Sequence, residues 1–128
     1  MISKISEGVE ITVETFYQAG YSNPANNDFM FAYKIIIENH NHFSIQLLTR
    51  HWTIYDSNAE QREVDGEGVI GVQPILKKGE IFSYVSGCNL KTDIGKMQGF
   101  YTMQNLSNLQ NFRVKIPIFN LIYPAKLN

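Results

Sequence analysis

The stretch Gln46–Pro74 reads QLLTRHWTIYDSNAEQREVDGEGVIGVQP, and it decides the fold that we predict. It begins within a predicted strand from Phe43 to Asp56, where a bulge near Leu47-Leu48 would explain why the apolar residues change face. Trp52 lies inside this strand and is predicted to anchor the core, because a tryptophan buries ~150–250 Å². A polar turn follows, and the chain returns as a short strand over Gln61–Val64.

The segments on either side of this stretch alternate apolar and polar residues with a period of two, which is typical of strands that have one buried face. We predict strands over Val9–Tyr17, Phe29–Asn39, Ile81–Val85, Met97–Gln104 and Phe112–Ile122. Seven or eight short strands without a helical pattern indicate an all-β antiparallel sandwich, with a closed barrel as the alternative.

Several local features refine this prediction. Met1 to Gly8 is expected to be loose at its start, and Gln18–Asp28 and Ser86–Gly95 are expected to be long connections. Gly99 inside a strand predicts a bulge or a close approach of backbone. Pro117 cannot donate a backbone hydrogen bond, so the last strand is predicted to lie at a sheet edge, with Val114, Ile116 and Ile118 on one face.

Length and charge exclude several classes of protein. A chain of 128 residues fits one domain, 1–128, and its formal net charge of -1 disfavours nucleic acid as a partner. No apolar run approaches the ~18 residues of a membrane-spanning helix, and the start of the chain does not resemble a signal peptide. We therefore expect a cytoplasmic protein that does not insert into membranes.

The segment Gly66–Gly71 carries a GxGxxG string, which suggests a phosphate site. A dinucleotide fingerprint requires a helix directly after the glycines, but Val69, Ile70 and Val72 are poor helix formers and Pro74 closes the segment. We therefore reject that interpretation. An anion held by backbone amides around Gly66, Gly68 and Gly71 stays as an alternative to glycines that serve only the backbone, and the charge of Glu67 counts against it.

Arg50 and His51 are the candidate interaction residues. On a strand, Arg50 shares the face of Trp52 and His51 takes the other face. Arg50 is expected to cap one end of the sandwich or to pair with a carboxylate, and the alternative is an exposed partner contact.

The sequence predicts no catalytic residues, no metal site and no cofactor. His40 and His42 are placed in a turn without nearby carboxylates, and Glu63, Asp65 and Glu67 are expected on separate faces. Cys88 is interpreted as a buried loop thiol rather than a nucleophile, because no base can be assigned to it.

Four motifs in order resemble the ApaG family over nearly the whole chain: residues 47–52 (LLTRHW), 66–74 (GEGVIGVQP), 84–88 (YVSGC) and 97–101 (MQGFY). The resemblance implies a fibronectin type III-like sandwich, of the immunoglobulin-like class, in a small cytoplasmic protein without established enzymatic activity. It also implies a link to cobalt and magnesium resistance or efflux, and members of the family are sometimes called CorD. In eukaryotes the similar domain looks like an interaction module, so we expect an unknown protein partner, and a homodimer formed through an edge strand is possible.

Overall fold

The computed structural model describes residues 1–127 of the chain. Within this range the chain forms nine strands: β1 Ile2–Ser6, β2 Val9–Tyr17, β3 Phe29–Asn39, β4 Ile45–Asp56, β5 Gln61–Glu67, β6 Ile75–Leu76, β7 Ile81–Leu90, β8 Ile94–Asn105 and β9 Gln110–Ile122. Short 3-10 turns cover Ala19–Tyr21, Pro24–Asn26 and Pro124–Leu127. No helix among residues 1–127 has the length and apolar character needed to cross a membrane.

The strands form two antiparallel sheets. The first sheet has the order β1-β2-β3-β7, and the second has the order β5-β4-β8-β9, with β6 pairing to the start of β4. Each strand pair is antiparallel. The predicted antiparallel sandwich is therefore confirmed over the closed barrel.

The core lies between the sheets and is built from alternate residues, as the period of two requires. In β3 every second residue from Phe29 onward is buried. Trp52 is 3% exposed and packs edge-on against Tyr33 and Phe119, with ring centroids 5.4 and 5.9 Å away. The predicted role of Trp52 as a core anchor is confirmed.

Both predicted irregularities in the second sheet are present. The β4–β8 register shifts between Leu47 and Thr49, which confirms the bulge near Leu47-Leu48. The β8–β9 register shifts between Met97 and Gly99. A Cβ atom at Gly99 would lie 2.1 Å from the carbonyl oxygen of His51, so this position requires glycine.

Three local predictions are wrong. Residues 2–6 are not loose, because their backbone pairs with β2. Ser86–Leu90 extends β7 instead of starting a connection, since Cys88 and Leu90 continue its buried face. Ile118 does not share the face of Ile116. Between the register pairs Met97–Phe119 and Gly99–Ile116, β9 contains one residue more than β8, and this bulge changes the face of the residues that follow. Ile118 is 54% exposed.

The last strand, β9, ends the second sheet, so the predicted edge position of Pro117 is confirmed. The strand predicted over Gln61–Val64 continues to Glu67, which brings the first glycine of the GxGxxG string into β5. The chain beyond that point leaves the edge of the sheet and forms the candidate site.

Candidate functional site

The glycine corner, which we define as residues 66–75, is fastened to the second sheet by Arg50. The Nη1 atom of Arg50 donates hydrogen bonds to the carbonyl oxygens of Glu67, at 3.0 Å, and Gly68, at 2.9 Å. Gly66 provides the space for this contact, because a Cβ atom there would lie 2.6 Å from the guanidinium carbon. Arg50 thus caps backbone carbonyls, and the expectation that it pairs with a carboxylate is wrong.

Gly68 is the residue at which the corner turns away from β5. Its amide donates to the carbonyl of Leu48 at 2.8 Å, and its φ of +59° lies in the left-handed region that favours glycine. A Cβ atom at Gly68 would lie 2.1 Å from the carbonyl oxygen of Val72. Close backbone packing therefore accounts for this glycine without a ligand.

Residues 69–72 form a tight hairpin turn at the tip of the corner. The amide of Val69 donates to the carbonyl of Val72 at 2.8 Å, and the amide of Val72 donates back at 3.0 Å. The two central residues, Ile70 and Gly71, both have positive φ, 48° and 75°. A two-residue turn with positive φ at both positions matches the type I′ geometry that asparagine, aspartate and glycine normally occupy.

The tip of the corner exposes apolar side chains. Val69 is 1% exposed and belongs to the core, but Ile70, Val72 and Ile75 are 60%, 46% and 54% exposed. Three exposed apolar side chains thus lie within six residues. Apart from Val69, this part of the corner is stabilised by its backbone contacts and not by burial of its side chains.

The structure agrees with the rejection of a dinucleotide fold. Among residues 1–127 the element that follows Gly71 is the short strand β6, and no helix begins there. The amides of Gly68, Val69 and Val72 donate to backbone carbonyls within the protein. The glycine string therefore folds as a strand end and a hairpin turn.

His51 lies on the opposite face of β4 from Arg50, as predicted, because Trp52 and Tyr101, the β8 partner of Arg50, are both buried on the core side. Its Nδ1 atom is 2.6 Å from a carboxylate oxygen of Asp65. Its ring stacks on Phe100 with centroids 5.0 Å apart, and the guanidinium carbon of Arg113 lies 4.3 Å from the centre of the Phe100 ring. Arg50 and His51 therefore serve two different surfaces, the glycine corner and the outer face of the second sheet.

His40 has acidic neighbours, which corrects the expectation that the turn histidines lack them. Its ring nitrogens lie 3.0 Å from a carboxylate oxygen of Glu10 and 3.6 Å from one of Glu38. Glu10 and Glu38 are direct register partners on β2 and β3, which brings the two carboxylates together. Among the described residues these three side chains could jointly reach a metal ion, although an ordinary histidine–carboxylate cluster looks the same. The sequence alone does not predict this cluster, because the pairing of Glu10 with Glu38 depends on strand register.

Cys88 is buried, as predicted, but it lies on β7 and not in a loop. Burial raises the pKa of its thiol, with the nearby Arg62 guanidinium acting in the opposite direction. A thiol with a raised pKa is a weak nucleophile near neutral pH.

Asp56 is buried at the end of β4, where it accepts hydrogen bonds from the amide of Lys91, at 2.7 Å, and from the hydroxyl of Thr92. These contacts make Asp56 part of the turn between β7 and β8. A polar cavity of about 990 Å³ opens beside this turn, and the 18–28 loop contributes Asn27 and Asp28 to its wall. Asp28 accepts a hydrogen bond from the side chain of Asn89 across that wall.

Comparison with known proteins agrees with this geometry. The family model described as the ApaG domain matches residues 19–105. Proteins named Protein ApaG from Brucella canis and Sinorhizobium fredii are each 40% identical to this chain, covering 98% of it and 96% and 95% of their own lengths. Their names describe no enzymatic activity.

A crystal structure of a Bordetella pertussis protein named ApaA superimposes with a TM-score of 0.88 at 39% sequence identity. The match covers 91% of this chain and 94% of the other. Sequence motifs, family model and fold agree along most of the molecule. The chain belongs to the ApaG domain family.

Proposed function

We propose that this protein acts by binding a partner protein through its glycine corner, and that it is not an enzyme. The observation that carries the proposal is Ile70, a β-branched residue that combines a φ of 48° with a side chain 60% exposed. Neither backbone preference nor burial favours isoleucine at this position. A contact with another protein would explain it.

The conformation of Ile70 has a cost in stability. For a β-branched residue the left-handed region is a genuine outlier, and such strain costs roughly 1–3 kcal/mol. Strained residues of this kind cluster at sites of binding and switching. An exposed apolar side chain held in this way matches the apolar anchors that supply most of the energy at protein interfaces.

The rest of the corner is organised before any partner arrives. Arg50 fastens the carbonyls of Glu67 and Gly68, and the two hydrogen bonds between Val69 and Val72 close the turn. A segment that is already ordered loses less conformational entropy on binding. Val72 and Ile75 extend the exposed apolar surface beyond Ile70.

The link to cobalt and magnesium resistance, implied by the family resemblance, enters this proposal through the partner. A cytoplasmic sandwich domain without a catalytic constellation would influence cation levels by contacting a protein that transports or senses the ions. The names of the related proteins describe no reaction, which is consistent with this role.

The test compares two substitutions of equally exposed apolar residues. Ile70→Asn replaces the strained residue by one that tolerates the left-handed region, whereas Val85→Asn changes a side chain 56% exposed on the first sheet. Quantitative affinity capture from lysate of the native host, with mass spectrometry, should show specific partners retained by wild type and Val85→Asn. The amount of partner captured by Ile70→Asn should fall at least about tenfold, because one contact worth ~1.4 kcal/mol is removed.

Thermal unfolding of the same variants provides the control for folding. We expect Ile70→Asn to be as stable as wild type or more stable, because the backbone strain is relieved. If both variants capture the same partners as wild type, or if wild type captures none above a scrambled bait, the proposal is wrong.

Phosphate or nucleotide binding by Gly66, Gly68 and Gly71 is the second candidate function. In its favour, Ile70 and Gly71 are consecutive residues of positive φ at a turn tip, where neighbouring amides can form a small anion-binding concavity. Three amides of the corner already have internal acceptors, and Glu67 adds negative charge, so we rank it below partner binding. Titration with pyrophosphate, followed through amide chemical shifts, should move only residues 66–72 if this candidate is right.

A further inference from the structure

The outer face of the second sheet carries a row of carboxylates along one edge. Glu63, Asp65 and Glu67 occupy alternate positions on β5, and the side chains of Glu63 and Asp65 both reach towards His51 on that face. The expectation that these three acids lie on separate faces is therefore wrong, since residues two apart share a face of a strand. In register they lie beside Thr53, His51 and Thr49 of β4.

The opposite side of the same face carries cations. Arg113 and Lys115 are exposed on β9, next to Thr102 and Phe100 of β8. Lys96 of β8 lies over the ring of Tyr55 on β4 and does not belong to this side. Three carboxylates on the β5 side of the face thus oppose two cations on the β9 side.

Strand register orders these charges into rows that run across the sheet. One row is Glu67, Thr49, Thr102 and Arg113, and the next is Asp65, His51, Phe100 and Lys115. Each row runs from an acid on β5 to a base on β9. The stacked rings of His51 and Phe100 lie at the middle of the second row.

We propose that this face binds a second copy of the chain, around a two-fold axis that runs parallel to the strands between β4 and β8. Such a rotation places β5 of one copy over β9 of the other and keeps each row at the same height. Glu67 then faces the partner's Arg113, Asp65 faces the partner's Lys115, and Phe100 faces the partner's His51. This reciprocal pairing is what an isologous interface requires.

The charge pattern favours a second copy over other occupants. A face with acids on one side and bases on the other does not complement nucleic acid or a uniformly charged protein, but it complements its own rotated image. Sheets that pack face to face keep their strand directions within about 30°, which this axis satisfies.

The area of this face limits the affinity of the contact. Four strands about 4.8 Å apart and four rows of side chains cover on the order of 500 Å² per copy, below the ~800 Å² of a standard interface. We therefore infer a weak dimer that depends on charge and dissociates in salt. This dimer uses residues other than the glycine corner and goes beyond the proposed function.

The experiment is sedimentation equilibrium with two charge-reversal variants. Asp65→Lys/Glu67→Lys makes both sides of the face basic, and Arg113→Glu/Lys115→Glu makes both sides acidic. Wild type should dimerise at about 50 mM salt and dissociate at about 500 mM, where the screening length falls to a few ångströms. Each variant alone should lose about tenfold or more in association, and an equimolar mixture should form a one-to-one heterodimer.

Two controls make the result specific. Glu10→Lys/Glu14→Lys introduces the same charge change on the outer face of the first sheet and should leave dimerisation intact. Ile70→Asn should also dimerise like wild type, which separates this proposal from partner binding at the corner. A wild type that stays monomeric at low salt, a mixture that fails to associate, or equal losses in the Glu10→Lys/Glu14→Lys control would overturn the proposal.

Discussion

The two faces of the second sheet are built from alternate residues of the same strands, yet they are organised by different forces. On the inner face Trp52, Met97 and Tyr101 are each at most 3% exposed, and their positions follow from burial. On the outer face His51 and Phe100 stack between carboxylates and cations, and their positions follow from strand register. Burial determines which residues stabilise the fold, while register determines which exposed residues can act together.

The largest expected effect comes from breaking the inner face at its closest backbone approach. Gly99→Val would place a Cβ atom 2.1 Å from the His51 carbonyl oxygen, where neither strand can move without losing the β4–β8 pairing. We expect a loss on the order of 4 kcal/mol or more in the free energy of unfolding. Urea denaturation measures it, and Gly20→Ala is the control, since no atom lies within 4 Å of the added Cβ there.

Failure of Gly99→Val to fold at all would agree with this expectation, provided that Gly20→Ala folds normally. Stability within about 1 kcal/mol of wild type would show that the two strands tolerate a larger separation than the structure indicates.

Alkaline pH should destabilise the core between the sheets in a way that the outer face of the second sheet does not share. Burial raises the pKa values of Tyr84 and Tyr101 above the ordinary value near 10, so the folded state keeps both protonated when the unfolded state ionises. The unfolding free energy should be unaffected by these groups below pH ~10 and should fall above it by about 1.4 kcal/mol per pH unit for each.

Tyrosinate absorbance checks this prediction beside a denaturation series from neutral to alkaline pH. Ionisation of all tyrosines in one step before unfolding would contradict the assignment of Tyr84 and Tyr101 to a closed core.

A smaller effect is expected from removing one hydroxyl of the core. The hydroxyl groups of Tyr84 and Tyr101 are 2.5 Å apart and buried. Tyr84→Phe should cost about 1–3 kcal/mol, because the Tyr101 hydroxyl then loses its partner inside the core. Tyr84→Phe/Tyr101→Phe should recover part of that loss, and a double variant less stable than the sum of the single ones would refute this explanation.

The smallest effect belongs to the outer face. His51→Ala removes the stacking on Phe100 and the contact with Asp65, both on a partly exposed surface. We expect this substitution to lower the free energy of unfolding, measured at high salt, by at most about 1 kcal/mol. A loss comparable with that of Gly99→Val would mean that the outer face also supports the fold.

The sequence predicted the core well and the outer face of the second sheet poorly. Alternation in Phe29–Asn39 and the isolated Trp52 indicate burial directly, because the strand period is two. The second half of β7 was missed because Ser86 and Gly87 interrupt the apolar pattern while Cys88 and Leu90 remain buried.

The candidate site could be predicted only in part. The glycines of residues 66–71 marked the segment that carries the candidate site. They did not predict the positive φ of Ile70, because its turn has a geometry that asparagine, aspartate and glycine normally adopt. The shared face of Glu63, Asp65 and Glu67 was readable from their spacing. Their alignment with Arg113 and Lys115 was not, because it passes through two further strand pairings.

The central claim is that a partner protein binds at the glycine corner, which Arg50 hydrogen-bonds to the second sheet while Ile70 stays exposed. Site-specific photo-crosslinking in living cells tests it most directly, with a benzophenone side chain at position 70 in one protein and at position 85 in another. The account predicts a discrete crosslinked protein from position 70 that is absent from position 85, although both sites are more than half exposed. Crosslinks of equal yield and identity from both positions, or none from position 70, would contradict it.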